Sequence, residues 1–536
     1  MKNKLIKYLA GLLVLSVIVT SCAKKLDLFP TNDLTPEKAY ATPAGYKAVL
    51  AKIYGTLAIT GNQGPAGNPD ISGGLDEGSQ VPYIRMFFNC EELPTDEAVV
   101  AWNDQTIHDF HDLKWTSADP FLKGIYARPI YNITLINEYM RESTDAKLTE
   151  RGITGADAAE IKKTVAEVRF LRAFNYWIMM DLFGKSTFIT EDDLIGTNLP
   201  KEINRADLFV YIEKELKAID GDLAPAKTIE YGRVDQGAAW ALLARMYLNA
   251  AVYTGVGKYT EAITYSKKVI DAGYSLYTGY PRVFMGDNDK AKNEFMFAVN
   301  CDGLHTQAYG NTTFLVHASC GGDIADYGTT DGWSGYRSTS ALVNLFPDPT
   351  GATDTRALFT TSKYGTSPAQ LQINDISDFN QGPHVKKFVN SHSDGSAQSD
   401  GNKYFSDIDF PVFRLAEMYL IYAEAVLRGG TGGSSANALT YINLIRTRAY
   451  GNTTGNISSG QLTLQFILDE RGRELYWEGH RRTDLIRYGI LTNGTYLWPW
   501  KGGVSSGTAV DPKYNIFPIP ASNIVANPNL TQNTGF

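Results

Sequence analysis

The chain has 536 residues, 43% hydrophobic and 20% charged, with 31 Tyr, 24 Phe and 8 Trp, a composition that gives a globular body an ample core and a surplus of rings for binding. Its 58 acidic residues outnumber its 50 basic ones for a formal charge of −8; without Lys2, Lys4 and Lys7 of the N-terminal leader, 47 basic residues remain and the charge is −11. So acidic a chain repels phosphate backbones, which excludes nucleic acid as a partner, and beyond the leader no segment approaches the ~20 consecutive apolar residues that spanning a membrane needs.

In chain order, "MKNKLIKYLAGLLVLSVIVTSC" sets three lysines before an uncharged apolar run and a small residue, the pattern of a secretory signal over residues 1–21. Its "VTSC" ending resembles the lipobox of bacterial lipoproteins, which makes Cys22 the lipid-modified N-terminus of the mature chain. Cys90, Cys301 and Cys320 then remain, an odd number without metal-type spacing; they are buried free thiols, or one disulfide and one thiol. Residues 61–80, rich in Gly, Asn and Asp, read as a long loop. It runs toward "TDEAVVAWNDQ", where Trp102 sits between small apolar residues and Asn103, Asp104 and Gln105, a placement suited to something flat lying on the ring. His108 and His111 in "HDFHD" lack the glutamate and third ligand of a zinc helix. Asp76, Glu77, Glu91, Glu92, Asp96 and Glu97 supply carboxylates for glycoside hydrolysis, but the required separation of about 5.5 Å or 6.5–9.5 Å cannot be read from sequence.

Helical periodicity follows. "RPIYNITLINEYMRE" precedes "IKKTVAEVRFLRAFNYWIMMDLFG", in which Val168, Leu171, Phe174 and Ile178 form one stripe, Phe170 and Trp177 another, and Gly184 a stop. From Ala239, Trp240, Leu243, Tyr247 and Ala250 form a stripe and Tyr259, Ala262, Ser266 and Val269 a second across the short break "TGVGK", a tetratricopeptide-like antiparallel pair. A third pair, "FRLAEMYLIYAEAVL" and "ANALTYINLIRTRA", is joined by a Gly-rich linker without phosphate-loop residues. Residues 361–406 read as loops with occasional strands. The turn-like "GDND" (286–289) and "SDID" (406–409) make Asp289, Asp407 and Asp409 candidates for a structural calcium ion, although helix capping and solvation explain acidic turns equally well. In "ILDERGRELYWEGHRRTDLIRYG", Glu470 with Arg473, Glu478 with Arg481 and Arg482, and Asp484 with Arg487 have the spacing of ion pairs along a helix. Trp498 and Trp500 in "YLWPWKGG" read as packing residues.

Together, "EVRFLRAFNYW", "GRVDQGAAWALLARMYL", "PVFRLAEMYLIYAEA", "ERGRELYWEGHRRTDLIRYG" and "FPIPASNIVANPNLTQNTGF" resemble the SusD/RagB family of Bacteroidetes outer-membrane nutrient-binding lipoproteins, and "LDLFPTNDLTPEKAY" extends the likeness to the start of the mature chain. The resemblance implies a mostly α fold with tetratricopeptide-like helical pairs, long loops and a few short strands. It implies two regions, 22–280 and 281–536, packed as one compact unit. It also implies lipid attachment to the outer leaflet facing outward, a TonB-dependent SusC-like transporter as partner, and binding without catalysis.

"FNCEELPTDEAVVAW", "YGNTTFLV", "GTTDGWSG" and "YLWPWKGG" are similar to the family's starch-binding member. That likeness places an aromatic arc on Trp102, Tyr309 and Trp333, with polar contacts from Asp76, Arg85, Asn103, Asp104 and Gln105; Gln105 stands where that member has Asn, and the longer amide shifts a hydroxyl contact. Such an arc follows the coil of an α-1,4-glucan rather than the flat ribbon of cellulose. The expected function is capture of starch or malto-oligosaccharides and delivery to the transporter. The rival readings are another glycan or peptides on the same scaffold, a repeat scaffold for proteins alone, and a glycoside hydrolase.

Overall fold

The computed structural model describes residues 35–193, 196, 198–360 and 371–536; the signal segment, Cys22 and residues 361–370 of the Gly- and Ser-rich stretch lie outside the described residues. The longer helices are α1 (Pro43–Gly55), α2 (Tyr83–Glu91), α3 (Pro120–Glu142), α4 (Gly155–Phe183), α5 (Arg205–Ala218), α6 (Gln236–Leu248) and α7 (Tyr259–Asp271). After these come α8 (Thr312–Ser319), α9 (Leu415–Leu427), α10 (Ser435–Tyr450), α11 (Leu464–Leu475) and the short α12 (Arg481–Arg487). Their ends carry capping residues that the local sequence supplies. The Asp119 carboxylate accepts from the Phe121 and Leu122 amides at the start of α3, Ser434 accepts from Asn437 at the start of α10, and α4 ends at Gly184 with φ 70°, a conformation free of Cβ strain only in glycine.

The expected pairs form: α3 packs on α4, α6 on α7 and α9 on α10. α7 also packs against α9, so two helical pairs stack although residues 272–414 intervene. Two long insertions interrupt the paired helices, 56–119 between α1 and α3, which carries α2, and 272–414 between α7 and α9, which carries α8. Three short antiparallel ribbons form, two of them within these insertions. β1 (Val99–Val100) pairs with β5 (Tyr336–Arg337), joining the two insertions; β2 (Ser186–Phe188) pairs with β3 (Lys201–Ile203); and β4 (Phe295–Val299) pairs with β6 (Phe410–Arg414) at the base of the second insertion. One apolar cluster runs from Tyr40 to Leu530, with both stripes of α4 inside it.

The charged run near the C-terminus differs from its helical reading. Glu470–Arg473 and Asp484–Arg487 pair as spaced. Glu478 does not pair with Arg481 or Arg482, because the helix ends at Leu475 and the chain reverses through Trp477 and Gly479, both at positive φ. Glu478 instead meets Arg414 and Lys387, Arg481 meets Asp96 and Arg482 meets Glu91. At the centre Glu474 takes Arg356, Arg414 and Arg448, all within the interior. The bonds that Glu474, Glu478, Arg481 and Arg482 make here stitch segments 26 to 391 residues apart.

Candidate functional site

The two insertions meet at the β1–β5 ribbon. Ala101 N–H donates to Gly335 O at 2.7 Å, and the chain entering β5 lies along the end of α8, with Trp333, Ser334 and Gly335 amides donating to the carbonyls of His317, Cys320 and Ala318 at 2.8–2.9 Å. Trp102 follows β1 and Trp333 precedes β5, so the same ribbon that joins the insertions brings these two indoles together, 6.4 Å apart and tilted by 45°.

From there a run of rings continues without a gap. Trp333 lies 4.8 Å from His317, His317 lies 4.7 Å from Tyr404, and Tyr404 lies 6.2 Å from Tyr309. Trp102, Trp333, Tyr404 and Tyr309 are half-buried, each keeping part of its ring open. The three rings expected from sequence are thus brought together, and two unexpected ones, His317 and Tyr404, link them. Neither carried a motif; the signals in sequence were a histidine in the apolar "TTFLVHAS" helix and a tyrosine beside Phe405 in a Gly/Asp-rich loop, meaningful only once 317, 333 and 404 are known to be neighbours.

Hydrogen bonds also tie together the segments that carry the rings. Trp102 Nε1–H donates to Trp333 O at 2.8 Å. The Trp333 amide donates to His317 O, and His317 Nε2 lies 2.7 Å from Tyr404 O; because that carbonyl can only accept, the His317 proton is assigned to Nε2. Burial holds the imidazole below its ordinary pKa, hence neutral.

Among the expected polar residues, Arg85 on α2 is 7% exposed, its guanidinium 5.1 Å from the Trp102 ring and 4.9 Å from Phe314. Nη1 donates to Gly78 O at 3.2 Å while Nε is buried without a protein partner; burial lowers its pKa against the raising effect of Tyr336, Asp104 and Asp76. Asn103, Asp104 and Gln105 are exposed beside Trp102. Asp76 is exposed in the first loop and accepts from the Ser79 amide and hydroxyl at 2.7 and 2.6 Å. That loop is pinned rather than open-ended: Glu77 accepts from Thr60 and Gly67, and Asp70 from Lys52 and Arg128.

The sequence model of the SusD family matches residues 353–536. Over 585 aligned positions covering all of both chains, the sequence is 37% identical to the starch-binding protein SusD of Bacteroides thetaiotaomicron. The chain belongs to the SusD family. A SusD-like protein of Bacteroides ovatus is 25% identical over 70% of this chain and 66% of its own. Two solved structures share the fold. A SusD superfamily protein from Parabacteroides distasonis has a TM-score of 0.69 at 23% identity, covering 94% of this chain and 100% of its own. Surface glycan-binding protein A of Bacteroides thetaiotaomicron, solved with laminarihexaose, has 0.66 at 18%, covering 91% and 99%.

Elsewhere the acidic residues serve structure. Glu91, Glu92, Asp96 and Glu97 are all at most 1% exposed and engage Arg482, Gly479 N–H, Arg481 and Trp477, so they face the interior and not the rings. Asp289, Asp407 and Asp409 do not converge: among the described residues no group of three or more His, Cys, Asp or Glu is placed to hold a metal ion. Asp409 accepts from Cys301 N–H and the Tyr231 hydroxyl, and Asp407 from the Gly303 and Ser399 amides with His392 beside it, so their oxygens are already satisfied by N–H and O–H donors and do not fit a calcium cage. His108 and His111 rings lie 5.1 Å apart and tilted by 39° in a single helical turn. Cys90, Cys301 and Cys320 are free and buried. Trp498 is buried, and Trp500 donates to Ile373 O. A cavity of about 630 Å³ lies between α1, the start of α4 and β4, lined by Tyr46, Leu50, Tyr54 and Phe297 and by none of the ring-run residues.

Proposed function

We propose that this SusD-family chain binds starch and malto-oligosaccharides at the cell surface through the ring run from Trp102 to Tyr309, without cleaving them, and passes them to a TonB-dependent SusC-like transporter. The observation that carries the reading is that run: the half-buried rings of Trp102 and Trp333, 6.4 Å apart, and of Tyr404 and Tyr309, 6.2 Å apart, with buried His317 between the two pairs, offer apolar patches for successive pyranose faces. At one end Arg85, Asn103, Asp104 and Gln105 offer donors and acceptors for ring-edge hydroxyls. Full-length similarity to a protein named for starch binding supports the substrate. Lipid attachment at Cys22 to the outer face of the outer membrane fits the leader, and among the described residues no helix is long and apolar enough to cross a membrane.

An open surface of this kind binds weakly, about −4 to −6 kcal/mol per site or millimolar to tens of micromolar, with avidity along a polymer raising retention. Native affinity electrophoresis in amylopectin tests it: the wild type is retarded and the Trp102→Ala, Trp333→Ala double variant migrates freely. Equal retardation of the two would defeat the reading. Levan, xylan and laminarin gels distinguish another glycan, and release of reducing ends from starch would reveal a hydrolase.

A further inference from the structure

His317 is the one member of the ring run with almost no exposure, at 1%, so it does not itself meet a ligand. Yet it touches both neighbours twice. Its ring lies 4.8 Å from Trp333 and 4.7 Å from Tyr404, its carbonyl accepts the Trp333 amide, and its Nε2–H donates to Tyr404 O. The Thr329 hydroxyl lies 3.0 Å from the same nitrogen, while Nδ1 is buried with no hydrogen-bond partner.

Resting on the glucan-binding reading above, we propose that His317 is a positioning residue whose neutral imidazole sets the spacing and tilt of Trp333 and Tyr404, so that protonating it disrupts the ring run and releases the glucan. A second proton must go to Nδ1. There it would put a cation, with the nearby Asp331 backbone carbonyl as its one further acceptor, into a buried site between two rings that need to stay close. Asp331, on the loop that carries Trp333, favours the protonated imidazole through its charge and its backbone carbonyl, as the Tyr404 carbonyl does, and Tyr404 is the other titratable group in contact; burial outweighs them all and holds the imidazole below its ordinary pKa. Acid therefore reaches the site through this residue only below the usual histidine range.

The test is calorimetric binding of maltoheptaose to the mature chain from about pH 7.5 to about pH 4, with His317→Phe and His317→Ala beside the wild type. Phe keeps a ring wedge that cannot ionise. It is expected to bind within about threefold of wild type at neutral pH and to lack the wild type's acid loss, whereas Ala is expected to lose about tenfold or more at neutral pH. Tryptophan fluorescence of the unliganded protein gives a signature independent of binding: an acid transition in the wild type that is absent from both His317→Phe and Trp333→Phe. A His317→Phe acid curve matching the wild type overturns the proposal, and it decides the matter even if His317→Ala does not fold. Wild-type affinity in His317→Ala overturns it as well. Should the Trp102, Trp333 double variant bind as wild type, the site reading falls and this proposal with it; failure of the His317 variants alone leaves the site reading standing.

Discussion

Gly335 offers the sharpest test of how the ring run is built. A Cβ added there would lie 2.3, 2.4 and 2.8 Å from Cε2, Cζ2 and Cδ2 of Trp102, against a carbon–carbon contact distance of about 3.5 Å, so about 1 Å of movement is required. The Gly335 backbone cannot give easily, since its amide is bonded to Ala318 O and its carbonyl to Ala101 N–H. The half-buried indole can. It would swing outward, lose the 2.8 Å bond to Trp333 O and leave the 6.4 Å alignment with Trp333. Overpacking costs about 1–3 kcal/mol; with an outlet to solvent, about 1 kcal/mol should appear as lost stability and the remainder as lost binding. At about 1.4 kcal/mol per decade, Gly335→Ala is expected to weaken amylopectin retention about tenfold while shifting the urea midpoint only slightly. Gly78→Ala is the control: its Cβ would meet Tyr309 and Asp76 at 3.5 and 3.6 Å, ordinary contacts in the same site, and retention should change by less than about twofold. Wild-type retention in Gly335→Ala, or an equal loss in Gly78→Ala, would refute the reasoning.

Three further outcomes follow from the interior. Glu474→Gln leaves Arg356, Arg414 and Arg448 short of a buried anion and should cost about 3–5 kcal/mol in urea unfolding; an unchanged midpoint would show the network to be dispensable. The surrounding arginines, against burial, hold Glu474 at about 2, below its unfolded value, so its contribution is complete above about pH 4.5 and is lost as pH falls toward 2. Glu97 behaves oppositely. Burial, opposed by Arg481, raises it to about 8, and burial with the Glu97 charge beside it raises the adjoining Glu92 as well, so the folded pair keeps protons that the unfolded chain releases, and stability falls as pH rises from about 4.5 to 8. Glu97→Gln should flatten the fall between about pH 6.5 and 8, and the same slope in wild type and variant would contradict the assignment. Burial pushes the Cys301 and Cys320 thiols up to about 12 and 11 and raises Cys90 well above the ordinary range, so in the chain beginning at Ala23 no thiol should react rapidly with Ellman's reagent until urea is added.

What the sequence made legible is what depends on neighbours three or four residues away. The stripes of α4, α6 and α7, the pairing of α9 with α10 and the stop at Gly184 follow from local periodicity and one glycine, and they appear where expected save that Ala250 falls beyond the end of α6. Glu478 marks the limit: its spacing to Arg482 is helical, but Trp477 and Gly479 at positive φ turn the chain, and the carboxylate finds Arg414, 64 residues away. The acidic turns fail for a related reason. Spacing cannot tell a cation ligand from a carboxylate that caps backbone amides, and Asp407 and Asp409 do the latter. Trp102 stood out from its polar neighbours, but Tyr309 and Trp333 and their grouping with it were legible only by resemblance, since no periodicity links residues 102 and 333; the β1–β5 ribbon does. His317 and Tyr404 had no signal of either kind.

The helical frame and the ring run divide the work of making an open site effective. Rings on long insertions would ordinarily lose much side-chain freedom on meeting a ligand, at about 0.5–1.5 kcal/mol for each side chain immobilised, and a shallow surface has little contact energy to offset that. Here the rings rest on an ordered frame: the Trp102 indole is bonded to Trp333 O, the Trp333 backbone to the end of α8, and the Tyr404 backbone to His317 Nε2. The ordering cost is met when the chain folds, because α8 and the β1–β5 ribbon are anchored in the single apolar cluster. On the proposed function, the insertions present rings whose supporting backbone is ordered before a glucan arrives, and a glucan that fits their spacing is favoured.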